Sequence, residues 1–198
     1  MSPVSIVNEA FAYLGESPIV SLDDDTKTAA MAKGLYATAK ASVLRMHRWS
    51  CAVKRKNLAE LTTTLDTPFP YAYSLPSDYV HLIDLYTNDI NVKSLSVDGI
   101  DVEQRYLIEN GTVQAFDSPL QMRYVFDVPE AQMDPLLAST LSAYLAWQMA
   151  YALTGSGQHE VRCSQRFATM INEARTANQI ELPRKIITAT QLARARRG

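Results

Sequence analysis

Acidic side chains are the first residues of this sequence that could do chemistry. Two carboxylates at a suitable separation are all that glycoside hydrolysis requires. Asp101, Glu103, Glu109 and Asp117 fall close enough in the chain to be considered. Exposed strand positions account for the same four acids without any reaction. Asp23, Asp24 and Asp25 are adjacent, but they lack the glycine and distal glutamate of a calcium loop. Capping the helix that follows them is their better reading. Lys54-Arg55-Lys56 could meet phosphates or guard an exposed strand edge, and the sequence favours neither. Arg162 and Arg166, one helical turn apart, read as a wet helix face.

Other chemistries find little support. Seven scattered glycines form neither a phosphate-cradling loop nor a dinucleotide fingerprint. His47, His81 and His159 lie far apart, and no His/Cys spacing suits zinc, so no metal or cofactor is expected. Gly155-Ser156-Gly157 is punctuation between helices, not a nucleophile elbow. Cys51 and Cys163 are expected as reduced, buried thiols. No apolar run is long enough to span a bilayer, and the first residues lack a signal-peptide pattern.

Charge is divided unevenly along the 198 residues. The first 182 hold 14 bases against 21 acids, whereas residues 183–198 hold five bases and no acid. These are Arg184, Lys185, Arg194, Arg196 and Arg197. Ile186, Ile187 and Leu192 lie among them, and a merely solubilising arm has no use for such apolar anchors. Apolar anchors with arginines suit a segment that orders on a partner with a groove and an acidic rim. Nucleic acid ranks below protein as that partner, because the tail has no aromatic residue for base stacking.

The scaffold carrying these residues is organised around the stretch 25–49, read as one helix. Ala29, Ala32, Tyr36, Ala39, Val43 and Met46 give it an apolar stripe. Lys27, Lys33, Lys40 and Arg48 mark its solvated face. Ser2-Pro3 starts an earlier helix that Gly15 stops. Short runs rich in Tyr, Val, Ile and Leu predict strands at 51–56, 71–75, 79–86, 92–97, 101–108, 112–116 and 120–126. Asp98-Gly99 and Asn110-Gly111 should each close a hairpin. Asp134-Pro135 opens a helix apolar around most of its girth, which should be central. A fourth helix, 158–179, turns Cys163, Phe167, Met170, Ile171 and Ala174 inward.

The order helix, helix, strands, helix, helix predicts an α+β fold. Its core should be an antiparallel four-helix bundle of residues 1–50 and 129–182. A β-rich lobe, 51–128, is inserted between the second and third main helices, and an extended tail of 183–198 follows.

Residues 8–49, NEAFAYLGESPIVSLDDDTKTAAMAKGLYATAKASVLRMHRW, resemble the opening of the tail tubular protein A family. These are head-to-tail adaptors of short-tailed bacteriophages. Gly15, Glu16 and Pro18 match that family's turn, and Trp49 its helix end. Leu75, Pro76 and Asp78 match a Leu-Pro-x-Asp segment early in its strand lobe. The resemblance implies a non-enzymatic virion protein of the head-tail junction, made in the host cytoplasm. Such proteins form a ring of roughly twelve identical subunits beneath the portal. The ring extends the channel for DNA ejection and carries the tail nozzle protein. DNA would pass without specific binding, no membrane would be involved, and the tail would dock on the portal. A virion-associated peptidoglycan hydrolase and a nucleic-acid-binding module are the alternatives.

Overall fold

The computed structural model describes residues 1–62, 67–92 and 105–181. Four helices and two antiparallel sheets make an α+β fold. Helix α1 (Pro3–Leu14) starts in a reciprocal cap in which Ser2 and Ser5 each accept from the other's backbone N–H. It ends at Gly15, whose φ of 76° is left-handed. Helix α2 (Lys27–Arg45) is capped by Thr26, whose side chain accepts from Ala29 N at 3.1 Å. Asp134 caps α3 (Pro135–Thr154) by accepting from the amides of Leu136 and Leu137. After Gly155, α4 (Gly157–Glu181) turns back along it.

The helical core departs from the expected four-helix bundle. The principal helix–helix contacts all run through α3, which packs against α1, α2 and α4. A closed bundle needs each helix to share flanks with two neighbours. Here three outer helices are spokes on one hub, and the composition of α3 explains this. Its buried residues, Leu137, Ala138, Leu141, Ser142, Leu145, Ala146 and Met149 among them, face every direction. Small alanines and serine let three partners approach closely. Tyr144, Trp147 and Phe167 interlock α3 with α4 at ring separations of 5.1–5.8 Å.

The first sheet has the order β1-β7-β3-β4: β1 (Val53–Asn57), β7 (Gln121–Phe126), β3 (Tyr79–Thr87) and β4 (Ile90–Asn91). The second has the order β2-β6-β5: β2 (Tyr71–Ser74), β6 (Thr112–Ala115) and β5 (Tyr106–Glu109). Asn110-Gly111 closes the β5–β6 hairpin with φ of 47° and 73°, as its sequence predicts. A second tight turn, Asn88-Asp89, has φ of 47° and 65° and joins β3 to β4. The predicted Asp98-Gly99 turn, most of the 92–97 strand and the start of the 101–108 strand lie outside the described residues. One cluster of buried side chains runs from Phe11 and Leu141 in the helices through Trp49 to Leu85, Met122 and Val113 in the sheets.

Three local readings are corrected. The long helix ends at Arg45, not Trp49, which makes it about 28 Å long. The acids before it do not cap it. Asp24 instead accepts from the amides of Val20 and Ser21 at 2.9 and 3.1 Å, and Asp23 pairs with Lys33 at 2.7 Å. Lys40 is buried, not solvated.

Candidate functional site

The residues that carry the family resemblance sit at joints between elements. Glu16 N donates to Phe11 O at 3.0 Å, completing the turn that Gly15 begins. The next segment is held by Asn8, a residue the sequence reading passed over. Asn8 Nδ2 donates to Ile19 O and Asn8 Oδ1 accepts from Ile19 N, both at 2.9 Å. This two-point clamp buries Ile19 and leaves Pro18 and Val20 outside, Val20 being 90% exposed.

Trp49 marks the joint between α2 and the strand lobe. It is buried, and its indole Nε1 donates back to Val43 O at 3.0 Å. That bond folds residues 46–49 under the end of α2, and α4 secures them there. Arg175 donates to Met46 O at 3.0 Å. Asn178 Oδ1 accepts from Ser50 N at 2.7 Å, while its Nδ2 donates to Arg48 O and to His47 Nε2, both at 2.9 Å. Burial, then the charges of Arg175 and Arg48, hold the His47 pKa below its ordinary value. The last turns of α4, from which residues 182–198 continue, are thereby fastened to the point where the lobe leaves the helices.

Leu75-Pro76-Ser77-Asp78 carries the chain from β2 in one sheet to β3 in the other. Leu75 N donates to Gly111 O at 3.2 Å, and Asp127 N to Asp78 O at 2.8 Å. The Asp78 carboxylate accepts from Tyr124 Oη and Lys54 Nζ, each at 2.8 Å. Burial opposes its charge, but these two bonds outweigh it and keep the carboxyl below the usual range. Burial and Asp78 together push Tyr124 up to about 12. Lys54 also lies 3.7 Å over the Phe126 ring, and Arg55 lies 5.1 Å over Tyr86. The basic run is thus on edge strand β1, with two of its cations drawn onto the sheet.

Lys40 bridges Asp127 at 2.7 Å and Glu130 at 3.0 Å, and Tyr36 donates to Glu130 at 3.2 Å. Burial disfavours the Glu130 charge, but its backbone bond, Lys40 and Tyr36 prevail and the carboxyl stays below its usual range. These residues and Asp78 line a cleft of about 390 Å³ between α2 and the β2–β3 link. Each charged group lining it is already engaged in an ion pair, and these pairs fix the lobe against the helices.

The candidate hydrolytic acids do not come together. Asp117 is engaged by buried Arg105, with N–O distances of 2.7 and 3.3 Å. Glu109 is at the opposite end of the β5–β6 hairpin, about 10 Å or more away at ~3.4 Å per residue. Asp101 and Glu103 lie outside the described residues. Cys163 is buried as expected, whereas Cys51 is only half-buried. Among the described residues no three metal-ligating side chains gather, and no helix is long and apolar enough to cross a membrane.

The proposed docking residues Arg184, Lys185, Ile186, Ile187, Leu192, Arg194, Arg196 and Arg197 all lie outside the described residues. Arg162 and Arg166 lie on an exposed face of α4. They border a cleft of about 620 Å³ where α4 meets Tyr13 of α1. Asn8, Arg175 and Asn178 were missed because a lone amide or guanidinium in a helical stretch has no sequence signal for a distant backbone partner. No protein-family model matches this chain, and neither does any curated protein.

Proposed function

We propose that this chain is a structural virion subunit, a head-to-tail adaptor of the tail tubular protein A type. Many copies would form a ring beneath a portal, extend the DNA channel and seat the tail nozzle protein. The observation that carries this reading is where the resemblance residues fall. Gly15 and Glu16 shape the α1–α2 turn, Trp49 fixes the α2–lobe joint, and Asp78 fastens the β2–β3 link to strands β1 and β7 of the first sheet. Each sets the position of one element against another, as a protein that works by shape requires.

The helical residues 1–50 and 129–182 would form the body packed against neighbouring subunits. The lobe, 51–128, would face the nozzle, and residues 183–198 would reach the portal. The Asn178 and Arg175 bonds suit this division, because they join the root of the tail to the root of the lobe. An acidic body also suits a channel that DNA must leave, since each neutralised phosphate adds salt-dependent grip.

The test is deletion of residues 183–198 followed by a portal-binding measurement. The truncated chain should keep its fold and lose portal binding. Undiminished binding refutes the docking role of the tail.

A further inference from the structure

The cleft between α1 and α4 carries two cations that have no ion-pair partner within the described residues. Arg162 and Arg166 on its rim are exposed and form no ion pair there. Arg166 is held in position: its guanidinium lies 4.4 Å over the Tyr13 ring. Tyr13 is fixed in turn by a 2.5 Å hydrogen bond to Glu9, whose other oxygen accepts from buried Ser142 at 2.9 Å. A chain of side chains rooted in the helical core thus orients an uncompensated cation at the surface. Cys163 and Met170 add apolar lining beside the arginines. The cleft therefore suits a ligand with an apolar tip and flanking carboxylates.

Such a shape exists elsewhere on the same chain. The loop between α1 and α2 presents Val20 at 90% exposure, followed closely by exposed Asp25 and by Asp23, whose solvent-exposed pair with Lys33 leaves its carboxylate open to a second cation. Asn8 grips Ile19 on one side, and Asp24 binds the amides of Val20 and Ser21 on the other. An apolar side chain so exposed on a rigid turn is a preformed knob, which loses little freedom when it docks.

We propose that the α1–α4 cleft receives the Val20 loop of a second copy of this chain, with Asp23 and Asp25 facing Arg162 and Arg166. The two surfaces are different patches, so the contact is heterologous and repeats from copy to copy until rotation closes it. The inference rests on the ring reading above and names one contact that would build the ring.

The test uses the full chain with portal, and ring mass as the readout. R162E/R166E and D23K/D25K should each lower ring formation about tenfold or more, with greater losses at higher salt. Combining all four substitutions in one chain should restore rings, because every interface regains opposite charges. Val20→Asp, at a position too exposed to affect folding, should also impair assembly. Rings that form normally with either reversal overturn the contact while leaving the ring reading intact. A wild-type chain that never forms rings on portal overturns both. If R162E/R166E abolishes salt-dependent duplex binding and spares rings, the cleft is a nucleic-acid site and the proposal is wrong.

Discussion

Asn178 Nδ2 donates to His47 Nε2 across 2.9 Å, linking the last turns of α4 to the chain that leaves α2. The Asn178 amide is oriented by the Ser50 N–H on its oxygen and Arg48 O on its nitrogen. His47 must therefore accept at Nε2, which only the neutral ring can do.

Acidification should weaken the fold in a defined window. His47 and His81 both have folded pKa values below the ordinary 6.5; burial comes first in each, followed by nearby arginines. As pH falls below about 6.5 the unfolded chain takes up these protons before the folded one, so stability drops. The carboxyls of Asp78 and Glu130, also lowered, give up stability only in a separate range below about pH 4. Denaturant midpoints should fall from pH 7.5 to pH 5.5, and His47→Gln should remove part of the slope. A flat profile over that range contradicts the assignment.

Replacing Asn178 with Ala should destabilise the protein by about 2–3 kcal/mol. Three hydrogen bonds go, and the Arg48 carbonyl loses its amide donor in a part-buried joint. Thermal unfolding measures the loss, and a change below about 0.5 kcal/mol would show that the clamp is incidental.

Lys40→Ala should cost about 3 kcal/mol, because the largely buried Glu130 carboxylate would remain without its cation. Adding Glu130→Gln to Lys40→Ala should recover part of that loss. Double-mutant-cycle analysis of unfolding free energies reads this coupling, and simple additivity would contradict it.

Asn8→Ala should loosen the loop that presents Val20. Amide hydrogen exchange at Ile19 and Val20 should rise, with a stability loss of about 1–2 kcal/mol. Gly15→Ala meets no atom within 4 Å but must hold φ at +76°, so its cost should be only about 1 kcal/mol. Unchanged exchange in Asn8→Ala would show that the turn holds itself.

Local signals in the sequence located most elements. Ser2-Pro3, Asp134-Pro135 and Asn110-Gly111 act through neighbouring backbone, so their meaning is contained in a few residues. Periodicity also marked α3 as central. It could not show how the other helices surround α3, because an apolar stripe does not identify the helix that covers it. Lys40 was misplaced for a related reason. Its helical position looks solvated until Asp127 and Glu130, some ninety residues later, fold over it. The end of α2 was overrun because residues 46–48 suit a helix locally. Bonds from Trp49, Arg175 and Asn178 take the chain elsewhere. Among the candidate site residues, Trp49 and Asp78 could be singled out by their motifs, but their partners could not.

The central claim, assembly on a portal by docking alone, is tested most directly by the mass of the particle formed when purified chain and portal are mixed. A discrete complex carrying a closed ring of this chain, lost when residues 183–198 are removed, is the predicted result. A chain that stays free in the presence of portal contradicts the account.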